Sequence, residues 1–66
     1  MSLVATATLK KPMRGAAVAE VRRLLALSDG IVFDDAVQQA VIAFQHEHDL
    51  PGTGEVDPTT LAAMRA

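Results

Sequence analysis

Ala40-Val41-Ile42-Ala43-Phe44-Gln45, followed by His46-Glu47-His48-Asp49-Leu50-Pro51-Gly52-Thr53-Gly54-Glu55-Val56-Asp57, is the stretch on which the fold turns. Val37, Ala40, Val41 and Phe44 recur at i, i+3, i+4 and i+7, which lays them on one face of a helix with Phe44 as the expected core anchor. Asp34 or Asp35 can accept a bond from the first-turn amides, and Asp35 with Gln38 has capping-box spacing. The helix should stop near Asp49, because Pro51, Gly52 and Gly54 follow closely. Gly52 and Gly54 are expected to serve turns of positive φ. Gln45 is expected to tie loop backbone through an amide that both donates and accepts.

Working outward, a first helix is expected from about Ala16 to Leu27. Val18, Val21, Leu24 and Leu25 share its apolar face, Gly15 caps it, and Ser28-Asp29-Gly30 ends it. Arg22 and Arg23 are placed off that face, near the C-terminal end that favours positive charge. A short third helix opens on Asp57-Pro58, an N-cap followed by an N1 proline, and buries Leu61 and Met64. Between the first two helices, Ile31-Val32-Phe33 reads as an extended plug with Phe33 in the core and a pairing with Glu55-Val56 as one option. Residues 1–8 are expected to form a lead-in and residues 9–66 the domain. Val18-x-x-Val21-Arg22 and Val41-x-x-Phe44-Gln45 each precede a glycine-bearing loop; a duplicated unit or helical periodicity alone explains the echo.

Composition narrows the function. Sixty-six residues allow one domain with a small core, too little for a deep catalytic cleft with its own support. Half the residues are apolar, so a folded core is expected, and without cysteine no disulfide or thiolate metal site exists. No signal peptide is read in the chain, because Lys10, Lys11 and Arg14 follow the short apolar start rather than precede it. No run approaches the roughly 20 apolar residues that span a bilayer, so membrane insertion is not expected. Residues 1–28 hold five positive charges and one negative, residues 29–66 one positive and seven negative. That dipolar surface suits a zwitterionic ligand or a cationic one at its acidic end, and disfavours nucleic acid. A monomer is expected.

No catalytic constellation is present. His46 and His48 lie two apart, about 200° around a helix, and cannot grip one metal ion together. Motifs of the H-E-x-x-H, C-x-x-C and G-x-S-x-G types are missing. Asp34 and Asp35 are adjacent and do not face each other, and Asp29 with Asp34 would meet only across an open loop, which does not bury a general acid. The Asp-Ser-Leu triplet of an acyl carrier is absent too. The reading is a binding module without cofactor or metal, not an enzyme.

Gly15-x-x-Val18-x-x-Val21, Asp29-Gly30, Phe33, Ala40-Val41-x-x-Phe44-Gln45 and Thr53-Gly54-x-Val56-Asp57-x-x-Thr60-Leu61, taken in order, resemble the peptidoglycan-binding domain family of bacterial cell-wall hydrolases. The A-V-x-x-F-Q element followed by L-x-x-T-G-x-V-D is the specific part. Val21-Arg22 stands where the family has Leu-Gln, Asp34 and Asp49 stand where it has glycine, Val37 where it has threonine, and Gly30 to Phe33 is longer by a residue. The resemblance implies a small, all-α orthogonal three-helix bundle with loop-rich connections, whose core includes Val18, Val21, Leu25, Phe33, Val41, Phe44 and Leu61. It also implies an extracytoplasmic module of a longer parent that anchors a hydrolase or related protein to the cell wall. With no Trp or Tyr, and both Phe residues expected inside, the stem peptide is a better ligand than the glycan. The expected groove takes Asp29, Gly30, Asp34 and Asp35 from one loop and helix start, and Thr53, Gly54, Glu55 and Asp57 from the other turn. The departures motivate one alternative: a structural or protein-interaction domain that keeps the fold without wall binding.

Overall fold

The computed structural model describes residues 8–66 and has three helices: α1 (Ala16–Leu24), α2 (Asp35–Glu47) and α3 (Pro58–Arg65). The expected lead-in falls, apart from Thr8, outside the described residues. The all-α reading holds, and both acidic caps form. Asp34 Oδ1 accepts from the Val37 amide at 3.1 Å, which decides the cap of α2 in favour of Asp34. Asp57 Oδ1 accepts from the Thr60 amide at 2.8 Å, with Pro58 in the first turn of α3.

The first helix ends earlier than its hydrophobic pattern suggests. Ala26 turns into the left-handed region at φ 60°, its amide donating to the Arg23 carbonyl at 3.0 Å and the Leu27 amide to the Arg22 carbonyl at 2.8 Å. Those two bonds make a Schellman cap. The same cap closes α2, where Asp49 sits at φ 58°, its amide donating to the His46 carbonyl at 3.2 Å and the Leu50 amide to the Gln45 carbonyl at 2.8 Å. A left-handed residue at this position explains why the resembled family carries glycine before the leucine, and why aspartate is a tolerable replacement.

The core consists of Leu9, Val18, Val21, Phe33, Val37, Val41 and Val56, with Leu25, Leu27, Leu61 and Met64 packed partly buried against it. Helices α1 and α2 each give two valines, while Leu9, Phe33 and Val56 come from connecting segments. Those segments are fixed by two antiparallel pairings, Leu9 with Val56 and Arg14 with Val32. The expected pairing of Ile31-Val32-Phe33 with Glu55-Val56 is therefore corrected: both loops pair with the chain ahead of α1 instead. Only Phe33 of that apolar run is fully buried; Ile31 is 51% exposed.

Two further expectations change. Phe44 is half-buried, outside the core, its ring stacked on His48 with centroids 4.2 Å apart. Gln45 is the residue that α2 buries one turn beyond Val41, because a fourfold step (Val37, Val41, Gln45) follows the inward stripe more closely than the step to Phe44. On α1 the face is rotated in the same sense: Leu24 is exposed and Arg22 is buried.

These parallels recur from Val18 to Asp57 at an offset of 23 residues. Val18 and Val41 are buried, Arg22 and Gln45 are each the buried polar residue of their helix, and Ala26 and Asp49 are the left-handed caps. Phe33 and Val56 plug the core from a loop, and Asp34 and Asp57 cap the next helix. The echo in the sequence is a duplicated helix–loop–cap unit.

Candidate functional site

Each repeat uses one buried polar side chain to hold its loop from behind. In the first, the Arg22 guanidinium donates from Nε to the Ser28 carbonyl at 3.0 Å and from Nη1 to the Val32 carbonyl at 2.9 Å. Its Nη2 reaches Ser28 Oγ at 3.3 Å, and Nη1 lies 3.6 Å from Asp34 Oδ1. The backbone at Gly30 passes directly over this group, so that a Cβ there would sit 3.0 Å from Nε. In the second repeat, Gln45 Nε2 donates to the Glu55 carbonyl at 3.0 Å, Thr60 Oγ1 at 3.1 Å and Thr53 Oγ1 at 3.2 Å. Its Oε1 accepts from the Gly54 amide at 3.0 Å.

An amide has two protons for those three acceptors, and the Thr53 hydroxyl donates in turn to the Glu55 carbonyl at 3.4 Å. Among the described residues no buried side-chain nitrogen or oxygen lacks a partner. The expected tie from Gln45 to the loop is thus present. Its counterpart at Arg22 was missed, because an arginine near a helix C-terminus reads as a solvated charge. The signal was available in the echo, which sets Arg22 where the second repeat has Gln45.

Gly54 takes φ 79° and its α-carbon faces α2, where an added Cβ would lie 3.0 Å from Gln38 Cγ. The expected positive φ is found there. Gly52 is corrected: its φ is not positive, and what its missing side chain makes room for is the His46 imidazole lying against it. His48 stacks on Phe44, so the two imidazoles serve different partners. Among the described residues no group of three His, Cys, Asp or Glu is placed to hold a metal ion, and no helix is long and apolar enough to cross a membrane.

The eight residues expected to meet a ligand divide by duty. Asp34 is a cap that also faces Arg22, and Asp35 is paired with Lys11. The hydrogen bond from Lys11, then its charge, holds the Asp35 carboxyl below the usual aspartate value. Asp57 is depressed too, first by the Thr60 backbone amide it accepts from and then by the Thr60 side chain. Thr53 Oγ1 accepts from the Glu55 amide at 3.1 Å and stabilises its own turn. Asp29 and Glu55 keep carboxylates without an ion pair among the described residues.

Both loops meet the segment from Leu9 to Arg14, one at each end. The arrangement presents two turns with backbone fixed from inside, and free charge on the outside. Nothing in it assembles a nucleophile with a base. A family model described as a putative peptidoglycan binding domain matches residues 14–64. No curated protein and no solved structure matches the chain.

Proposed function

We propose that this chain, which belongs to the putative peptidoglycan-binding domain family, is a non-catalytic module that anchors a cell-wall hydrolase or related protein to the bacterial wall through the stem peptide. Family membership supports peptidoglycan binding in general and a cell-wall setting. The preference for stem peptide rests on the loops. A turn whose carbonyls and amides are held by Arg22 and Gln45 offers fixed backbone groups to a peptide at low ordering cost. Asp29 and Glu55 add carboxylates that can meet the free amine of a diamino acid.

The single observation behind this reading is the pair of internally braced loops with unspent carboxylates at their surface. Few side chains converge, so affinity is weak, with a Kd of roughly 0.1–1 mM. Asp34 and Asp57 act on the ligand only through the shape of the loops they cap, and Asp35 only through its pair with Lys11.

Sacculus co-sedimentation with Asp29→Lys and Glu55→Lys tests the assignment. Retention of the double variant should fall several-fold against the parent chain, at unchanged helical circular dichroism. Equal retention would remove these carboxylates from the site. Asp34→Lys is the wrong probe, since it breaks a helix cap and would weaken binding through the fold. The alternative, an interaction domain that keeps this fold, gains support if the parent chain itself stays in the supernatant at low salt.

A further inference from the structure

The segment shared by the two loops carries cations that no structural duty absorbs. Leu9 and Val56 exchange both backbone hydrogen bonds, at 3.0 and 2.8 Å, with their side chains buried. At the other end the Gly15 amide donates to the Ile31 carbonyl and the Phe33 amide to the Met13 carbonyl, each at 2.9 Å. These bonds frame Arg14 and Val32 as an antiparallel pair with no hydrogen bond of its own. In that geometry the α-carbons are about 4.5 Å apart and the side chains share one face.

The face is open: Arg14 is exposed and Val32 is 37% exposed. The Met13 amide donates to the Lys10 carbonyl at 2.8 Å, a turn that keeps the start and end of the segment close. Lys11, between them, is neutralised by Asp35. Lys10 and Arg14 are exposed and make no ion pair among the described residues. On either side stand the unpaired carboxylates, Asp29 three positions before Val32 and Glu55 next to Val56.

We propose that Arg14 receives the terminal carboxylate of an aliphatic residue while Asp29 receives an amine of the same peptide. The ligand is then a zwitterionic peptide end, and Val32 covers its aliphatic side chain. The inference rests on the stem-peptide reading and names the group that reading left without a receiver. Arginine suits the role because its planar fork matches a carboxylate with two parallel hydrogen bonds, and an apolar neighbour keeps water from one side of the pair.

The test uses the full chain and three synthetic probes: Nα-acetyl-lysyl-D-alanine, its C-terminal amide, and its Nα,Nε-diacetyl form, titrated by NMR into the parent chain and Arg14→Gln. The parent should prefer the free carboxylate over the amide about 5–10-fold, as for one charge-assisted pair in partial solvent. Arg14→Gln should bind the two equally, both at the level of the parent with the amide. Acetylation at Nε should weaken parent and variant by the same factor, since it acts at Asp29. Discrimination retained in Arg14→Gln overturns the inference, as does a parent chain blind to amidation or silent toward the free dipeptide at 10 mM. Sacculus retention separates the two claims. Retention by a parent chain blind to amidation sinks the Arg14 site and leaves wall binding standing; discrimination between probes without retention does the reverse.

Discussion

Gln45→Leu separates an internal brace from a core filler. Leucine is close to glutamine in volume, so the substitution deletes hydrogen bonds without opening a large cavity. Four contacts disappear: the Glu55 carbonyl, the Gly54 amide, and the hydroxyls of Thr53 and Thr60. The threonines recover cheaply. Thr53 is exposed and turns to water, and Thr60 in the first turn of α3 has backbone carbonyls nearby. Gly54 is buried, and its amide is stranded. The Glu55 carbonyl keeps only the Thr53 hydroxyl at 3.4 Å. One stranded donor at about 1–3 kcal/mol and one weakened acceptor at about 1 kcal/mol give a loss of about 2–4 kcal/mol.

At about 0.05–0.15 kcal/mol per residue the whole chain has about 3–10 kcal/mol, so the loss is a large fraction of it. Urea unfolding followed by far-ultraviolet circular dichroism reads it directly. With a slope near 1 kcal/mol/M, the midpoint should fall by about 2 M or more at unchanged slope. Phe44→Leu, one residue away, should cost under about 1.5 kcal/mol because the ring is half-buried and packs on His48 at the surface. If Phe44→Leu proves the costlier change, or Gln45→Leu leaves the midpoint in place, the brace is not what holds the second loop.

Ala26→Gly should stabilise the chain by about 0.5–1 kcal/mol, since relief of a left-handed alanine exceeds the entropy glycine adds to the unfolded chain; Asp49→Gly should act in the same direction by less. Thermal melts of the two single variants check both. Arg22→Met strands the Ser28 and Val32 carbonyls, so it should cost about 1–3 kcal/mol and speed amide hydrogen exchange across residues 28–33 before any other region. Asp57 has a folded pKa below its unfolded one. Its contribution is therefore complete above the ordinary aspartate value near 4 and is lost as pH falls through that value toward the lower one. Asp57→Asn keeps an acceptor at the cap but does not titrate, so melting temperature against pH should fall less steeply below about pH 4 than in the parent.

The helices and their caps were legible because capping and turn chemistry is local. Asp57-Pro58 and Gln45 each have one good use at their positions, and the structure puts them to it. The burial of Phe44 was misjudged because a helical stripe drawn from apolar residues alone passes over an inward glutamine. The stripe runs Val37, Val41, Gln45, and only the polar partners in the next loop make the last of these an interior residue. Arg22 escaped for the same reason. Pairing of the loops with Leu9 and Arg14 could not be read at all, since a single antiparallel contact has no periodicity to announce it. That contact also explains how the candidate site differs from the expected groove. Three of its five acidic members are engaged in caps or an ion pair, and Arg14 from the segment ahead of α1 is paired with Val32 of the first loop.

Binding of the purified chain to intact sacculi and to sacculi whose stem peptides have been removed by an amidase addresses the main conclusion most directly. Sedimentation with the intact wall at low salt, release as salt rises, and loss of retention on the stripped glycan are the expected results. Equal retention on both preparations would assign recognition to the sugar strand, and retention on neither would contradict wall binding by this chain.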